Sequence, residues 1–451
     1  TPRRGVVYWL APSPIQAKRL WAGTDDGLIW LTTDDGGHWS NVTPPQLTPW
    51  SKVGIIDASH FNPDTAYAAI DRHRLDDNHP YIYKTNDGGK TWSLIVNGLP
   101  SDQFVNVVRE DPKQPGLLYA GTDWGVFVSF NDGASWQPLQ LDLPASSIRD
   151  IVFGGNDVVV GTHGRAIWIL DDATPLRQLA AGSSGHLFKP DTAVLFQRAG
   201  SFGFGRFDEG TPLPFEEPQG ENAPWGAVID YTVDQNGPVT LEIEDASGKT
   251  IRKISSEDRV QTVDFSRMDI PAYWAQPPMT LSGKPGGHRY LWDFRYHTAN
   301  GPLVPPGKYT IKLTEGGQTY TQPLTIARDP RLPATDADLQ SQFAFALRIE
   351  DEVDQLRTAQ TKAKALLDKN PSPEKADRLR ALTGGQITRR RRNTPAGPDT
   401  TSFGAVASAM EGLEGAVESA QGVPTKDCVA MYADLKKQAD ADFAELKAIG
   451  G

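Results

Sequence analysis

The acidic side chains at predicted turns, Asp25, Asp26, Asp57, Asp71, Asp76, Asp77 and Asp123, are the residues of this chain best suited to chemistry. A pair of carboxylates held about 5–10 Å apart across a cleft is what glycoside hydrolysis needs. Most of these acids lie in Asp/Gly turns, where a carboxylate bonding its own backbone explains them as well as a reaction would. The densest polar cluster is Asp71-Arg-His-Arg-Leu-Asp-Asp-Asn-His79. It forms an elongated loop between two strands, where binding residues collect, so Asp71, Arg72, His73, Arg74, Asp76 and Asp77 are read as ligand contacts. His163 and Arg165, close in sequence to Asp171-Asp172, form a second cluster and are read as ligand contacts too. No metal-ligand spacing orders either cluster, and no metal or cofactor is expected. A Ser-His-Asp order, a phosphate-binding glycine loop and a nucleotide fold are all missing from the sequence. The arginines and tyrosines a sialidase would need are scattered. No residue is assigned as catalytic.

Three octets must position these clusters: Thr32-Thr-Asp-Asp-Gly-Gly-His-Trp39, Thr85-Asn-Asp-Gly-Gly-Lys-Thr-Trp92 and Ser129-Phe-Asn-Asp-Gly-Ala-Ser-Trp136. In each, a hydroxyl residue precedes Asp34, Asp87 or Asn131 by two. Gly36, Gly89 or Gly133 follows two later and supplies a positive φ, and Trp39, Trp92 or Trp136 closes the turn as an anchor beneath it. These positions are structural. Their tryptophans lie 53 and 44 residues apart, the repeat length of a propeller blade. Ahead of each octet runs a strand pair. Trp21-Ala-Gly-Thr-Asp-Asp-Gly-Leu-Ile-Trp30 is echoed by Tyr119–Val128, by Val159–Ile169 and by Tyr67-Ala-Ala-Ile-Asp71. Val53–Ile56, Val105–Val108 and Ile148–Val152 supply innermost strands. About four blades result. The chain is read as starting mid-blade at Gly5-Val-Val-Tyr-Trp9, and an unclosed array leaves an open edge. Further blades are therefore expected on a missing N-terminal segment or a companion chain.

The stretches "LWAGTDDGLIW", "YIYKTNDGGKTW", "VREDP", "LLYAGTDWGVFVSFNDGASW" and "VVVGTHGRAIWILDDATPLRQL" resemble the later blades of large bacterial Asp-box (BNR-repeat) propeller proteins. That family is related in repeat type to sortilin and to xyloglucanases and is often labelled glycosyl hydrolase. The resemblance implies blades upstream, a small β-sandwich and a helical tail downstream, and a secreted or periplasmic location. It also implies that the stretch from His163 to Asp172 closes a last blade through a structural salt link.

The expected fold is mainly β with an α tail: propeller blades over 1–176, an irregular linker over 177–226, an Ig-like sandwich over 227–333 and a helical bundle over 334–451. Phe202, Phe204 and Phe207 are read as anchors for the linker. Val239, Leu241 and Ile243 share one strand face and Tyr309, Ile311 and Leu313 another, with Gly316-Gly317 at a hairpin. Thr335 and Asp338 form a capping box. Leu339, Ala346, Ile349 and Leu356 repeat at helical spacing. The bundle offers a route to oligomers. Arg389–Arg392 is read as a solvated loop, with processing as the alternative. Cys428 is read as a small buried side chain. A net charge of −11 argues against nucleic acid or an anionic membrane as partner, and no apolar run reaches transmembrane length. The expectation is a secreted propeller scaffold that binds a polypeptide or glycan. The competing reading is a glycoside hydrolase with acids partly on blades outside this chain.

Overall fold

The computed structural model describes residues 5–196, 225–259, 279–369, 371–384 and 402–450. The Phe202/Phe204/Phe207 anchors and the Arg389–Arg392 run lie outside the described residues. Contacts divide the chain into two units, Thr1–Phe188 and Lys189–Gly451.

The first unit is a succession of small antiparallel sheets, each ordered as its strands occur in the chain. Sheet 1 holds β1 (Val7–Pro12), β2 (Leu20–Thr24), β3 (Ile29–Thr32) and β4 (Ser40–Asn41). Sheet 2 holds β5 (Lys52–Ala58), β6 (Ala66–Asp71), β7 (Ile82–Thr85) and β8 (Ser93–Leu94). Sheet 3 holds β9 (Val105–Glu110), β10 (Leu118–Thr122), β11 (Val126–Ser129) and β12 (Gln137–Pro138). Sheet 4 has three strands, β13 (Ile148–Gly154), β14 (Asp157–Thr162) and β15 (Ile167–Leu170), after which the chain enters helix α1 (Thr174–Ala180). The mid-blade start read from the sequence is corrected here: β1 is the first strand of a four-stranded sheet. The short apolar run before Pro12 looks incomplete only because its partners lie ahead of it in the chain.

Sheets 2 and 3 are apolar on both faces because each meets a neighbouring sheet on both sides, which is why alternation along their strands is weak. Trp21, Ile29 and Leu31 of sheet 1 pack with Val53, Ile56 and Tyr83 of sheet 2. Tyr67, Ala69 and Ile82 meet Val108, Leu118 and Phe127 of sheet 3. Val107, Tyr119 and Val126 meet Ile148, Ile151 and Val160 of sheet 4. Register makes the repeat explicit. Side by side across the inner three strands lie Ile56, Ala68 and Tyr83 in sheet 2 and Val108, Ala120 and Phe127 in sheet 3. Both rows are buried against the preceding sheet. At the far end α1 stands where a fourth strand would follow, and Leu176 and Ala180 join the last core. Arg177 forms a 3.0 Å ion pair with Asp111, whose carboxylate is wholly buried.

In the second unit a five-stranded sheet is ordered β16 (Ala193–Leu195), β22 (Gln318–Arg328), β21 (Gly307–Glu315), β18 (Val239–Glu244) and β19 (Thr250–Ser255), while β17 (Ala227–Val233) pairs with β20 (Gly286–Trp292). β16 lies within the stretch read as linker and pairs with β22 in parallel. Strict alternation buries one face of β17 and β18. Trp292, fully buried, contacts Phe294 and Tyr309 edge-on. Gly316 and Gly317 both take positive φ at the β21–β22 turn, as a two-residue hairpin requires. Helix α2 (Asp336–Leu367) opens on the Thr335–Asp338 capping box. It packs with α3 (Pro373–Thr383), α4 (Phe403–Glu418) and α5 (Lys426–Gly450) around Ile349, Leu356, Phe403, Met410 and Leu435. Cys428 is partly buried against that core.

Candidate functional site

Sheets 1, 2 and 3 of the first unit each have two ends with opposite chemistry. At one end sit the octets. In the second, Thr85 Oγ1 donates to Asp87 (2.9 Å) and accepts from Gly89 N–H (2.9 Å), while Thr91 N–H donates to Asp87 (2.9 Å). The first octet repeats this with Thr32, Asp34, Gly36 and His38. The third repeats it with Ser129, Asn131, Gly133 and Ser135. A carboxylate that accepts several such bonds is favoured as the anion. Asp87 is accordingly held down to about 2, chiefly by the Thr91 hydroxyl and N–H. Asp34 is lowered by His38 N–H and its ring. Every polar group named here is already engaged.

The tryptophans differ from the anchor beneath the turn that the sequence suggests. Trp92 Nε1 donates to the carbonyl of Val42 (2.7 Å), just past the outer strand of sheet 1. Trp136 Nε1 donates to that of Ile95 (2.8 Å), just past the outer strand of sheet 2. The octet is thus a latch onto the preceding sheet. In these two octets the indole N–H finds its backbone acceptor on the neighbouring sheet. Asp132 adds to the same contact, accepting from Tyr67 Oη (2.7 Å) and pairing with Lys84 of sheet 2.

The opposite end carries the clusters read from the sequence. The residue that follows or ends the second strand is Asp25 in sheet 1, Asp71 in sheet 2, Asp123 in sheet 3 and His163 in sheet 4; the register makes these positions equivalent. Both predicted clusters therefore begin at the same place on sheets 2 and 4. Asp71 is 5% exposed, bonded to His73 Nδ1 (2.5 Å) and 3.8 Å from Lys52 Nζ. His73 stacks on Phe104 at 4.7 Å. Arg72 lies 3.2 Å from Asp77 and over the Tyr81 ring. Burial works against ionisation of Asp77, but bonds from His79 and Tyr81 and the charge of Arg72 outweigh it and keep its pKa low. Arg74 and Asp76 are exposed, Asp76 in the left-handed conformation that ends a short 3₁₀ turn. Arg72 and Asp77 thus brace the loop, while Arg74 and Asp76 face solvent.

Asp123 is the unusual member. Its Oδ1 is buried without a hydrogen-bond partner among the described residues. Burial raises its pKa, and the charges of Asp102 and Asp71 raise it further. Beside it Trp124 stands 61% exposed. Sequence reasoning placed Asp123 among the acids and passed over Trp124. The signal was a tryptophan between Asp and Gly in a turn, where no sheet face can cover it.

His163 and Arg165 are exposed, and Arg165 N–H closes a turn on Thr162 Oγ1 (3.1 Å). Asp57 is a buried partner of Arg109 (3.2 Å) and of Glu110 N–H (2.8 Å). Asp25 accepts from Val6 N–H (2.7 Å), and Asp26 from Thr24 Oγ1 (2.5 Å).

No family model matches the chain, and no curated protein does. Solved structures give distant likenesses. YCF48 bound to D1 peptide is 15% identical with a TM-score of 0.31, over 38% of this chain and 54% of that one. A GH74 xyloglucanase from Xanthomonas campestris is 13% identical with a TM-score of 0.30, over 36% and 29%. An ancestral GH74 enzyme is 14% identical with a TM-score of 0.31, over 71% and 40%. The chain spans about half or less of the length of each of these structures.

Proposed function

We propose that residues 1–176 form four consecutive blades of a larger Asp-box propeller, and that the protein is a binding scaffold holding a polypeptide or glycan at the loop end of blades two and three. The observation that carries this reading is Trp124 standing open beside Asp123, a carboxylate whose inner oxygen has no partner, next to the stacked His73 and Phe104. An exposed indole gives an apolar platform for a sugar ring or a side chain, and the flanking polar groups fix orientation. The remaining parts, a linker over 177–226, an Ig-like sandwich over 227–333 and a bundle over 334–451, brace the propeller or mediate assembly. No helix of the described residues is long and apolar enough to cross a membrane, and a secreted or periplasmic setting suits a scaffold of this kind.

Glycan and peptide arrays probed with the purified chain test the reading. Trp124→Ala should weaken the best hit of either array by about tenfold or more, since a tryptophan anchor is worth at least 1.4 kcal/mol. Binding unchanged in both Trp124→Ala and Asp123→Asn sinks it.

The glycoside hydrolase reading has one observation in its favour. Asp123 is pushed toward its protonated form near Asp71, a carboxylate already bonded by His73. Neighbouring acids in such unlike surroundings are how an acid and a base are told apart. β-Glucan turnover that vanishes in Asp123→Asn would establish it over the scaffold.

A further inference from the structure

The second and third octets show what the first lacks. Gly89 and Gly133 abut the preceding sheet so closely that a Cβ would lie 2.6 Å from Val42 Cβ and 2.4 Å from Ile95 Cδ1; at Gly36 the nearest atom is its own Trp39, 3.7 Å away. Trp136 is buried and Trp92 half-buried, while Trp39 is 39% exposed. The row that is buried as Ile56-Ala68-Tyr83 and as Val108-Ala120-Phe127 recurs in sheet 1 as Leu10, Ala22 and Trp30. There Leu10 is 57% exposed. Sheet 1 thus repeats the residues of a covered face, with Leu10 exposed and Trp30 half-buried on either side of the buried Ala22.

We infer that the outward face of sheet 1 is a docking surface for a further four-stranded blade, whose outer strand ends in a branched aliphatic residue with a free carbonyl that accepts from Trp39 Nε1. The inference rests on reading the sheets as blades and specifies the partner at that edge. The filled copies define its chemistry. Val42 and Ile95 each follow a two-residue outer strand and donate their own N–H inward, to Ile29 and Ile82. That leaves one carbonyl for the indole and one branched side chain against the octet glycine. A second copy of this chain does not fit. Among the described sheets of the first unit, the other one with an exposed apolar far face is sheet 4, where Val152, Ile167 and Ile169 are exposed. Sheet 4 has three strands, so it has no outer-strand end to offer Trp39. The partner is therefore a blade distinct from those described here.

The test grafts such a blade. Residues 52–104, repeated directly ahead of Val7, present Ile95 to sheet 1 as they do to sheet 3. With 5-fluorotryptophan in the chain, the ¹⁹F resonance of Trp39, assigned through Trp39→Phe, shows a solvent isotope shift in the parent and loses it in the graft. A folded graft in which Trp39 stays solvent-exposed overturns the inference. So does a parent chain that dimerises with Trp39 protected. Should the graft not fold, point variants in the parent decide. Leu10→Lys leaves the melting temperature within about 2 °C, as at an open surface, whereas Ile56→Lys at the equivalent covered position abolishes cooperative unfolding. Equal damage from both would mean that the face is already covered. None of these readouts involves a ligand, so loss of the Trp124 binding site and loss of this docking surface would be told apart.

Discussion

The two ends of the first-unit sheets use the same residue types for opposite purposes. At the octet end Asp87 accepts from Thr85, Thr91 and backbone N–H groups. At the loop end Asp123 has an oxygen with no partner among the described residues. One end has its polar groups consumed in holding sheets together. The other leaves one carboxylate oxygen and an indole unengaged among the described residues, and groups of that kind are what a ligand can use.

The largest effect should come at the octet end, from Arg177→Ala. Asp111 would keep a carboxylate with no exposure at all and lose the guanidinium whose Nε donates to both of its oxygens. Removing one member of a buried pair costs about 3–5 kcal/mol, and urea unfolding should shift by that amount. If the shift is under about 1 kcal/mol, water reaches Asp111 and the buried-pair account fails.

Next comes a comparison between octets. Gly133→Val forces both a positive φ of 85° and a clash with Ile95, costing roughly 3 kcal/mol. Gly36→Val meets only the φ term of about 1–2 kcal/mol, because nothing but its own Trp39 is near. Equal losses at the two positions would erase the distinction between a latched octet and an open one.

Within the octets, local structure was legible because every partner lies within four residues: Thr32 to Asp34, Gly36 to Thr32 and His38 to Asp34 are fixed by spacing alone. The destination of the indoles was not. Val42 and Ile95 lie 50 and 41 residues from their tryptophans, and nothing in a single octet names them. The site was half legible. The aligned Ala-Gly-Thr-Asp and Val-Gly-Thr-His repeats carry Asp25, Asp123 and His163 at one position, so the row of equivalent strand ends could be read off directly. That Arg72 and Asp77 would be spent on bracing the loop, and Arg165 left exposed, depends on three-dimensional placement that residue type does not encode.

A smaller effect concerns pH in the second unit. Glu350 and Glu414 are each raised to about 7, first by burial and then by neighbouring carboxylates, Asp354 for Glu350 and Glu418 for Glu414. A raised carboxyl binds its proton more tightly folded than unfolded. Its stabilisation is full below pH about 4.3 and is lost as pH rises through 7. Glu414→Gln should therefore be neutral at pH 4 and stabilising by about 1 kcal/mol at pH 8, after discounting for solvent screening. Thermal melts at the two pH values check the sign. Glu418, already paired with Arg295 and bonded by Leu303 N–H, should show no such gain when changed to Gln.

The smallest effect returns to the contrast between the two ends. Asp87 has a lowered pKa, so what it adds to stability is present above pH about 4 and disappears as pH falls through 2. Asp123 has a raised one, so its contribution is present in acid and is lost as pH rises through its folded pKa. Amide substitution should then act in opposite directions near neutrality. Asp87→Asn replaces an acceptor of several bonds with a weaker one and lowers the melting temperature. Asp123→Asn removes a poorly solvated charge near Asp102 and Asp71 and should raise stability by about 0.5 kcal/mol, allowing for its partial exposure. The same substitution should weaken the ligand found on the arrays. A residue whose removal helps the fold and harms binding is one kept for function, at a cost in stability. If Asp123→Asn instead destabilises the protein as Asp87→Asn does, its carboxylate is another structural acceptor, and the loop end has no stronger claim to a ligand than the octet end.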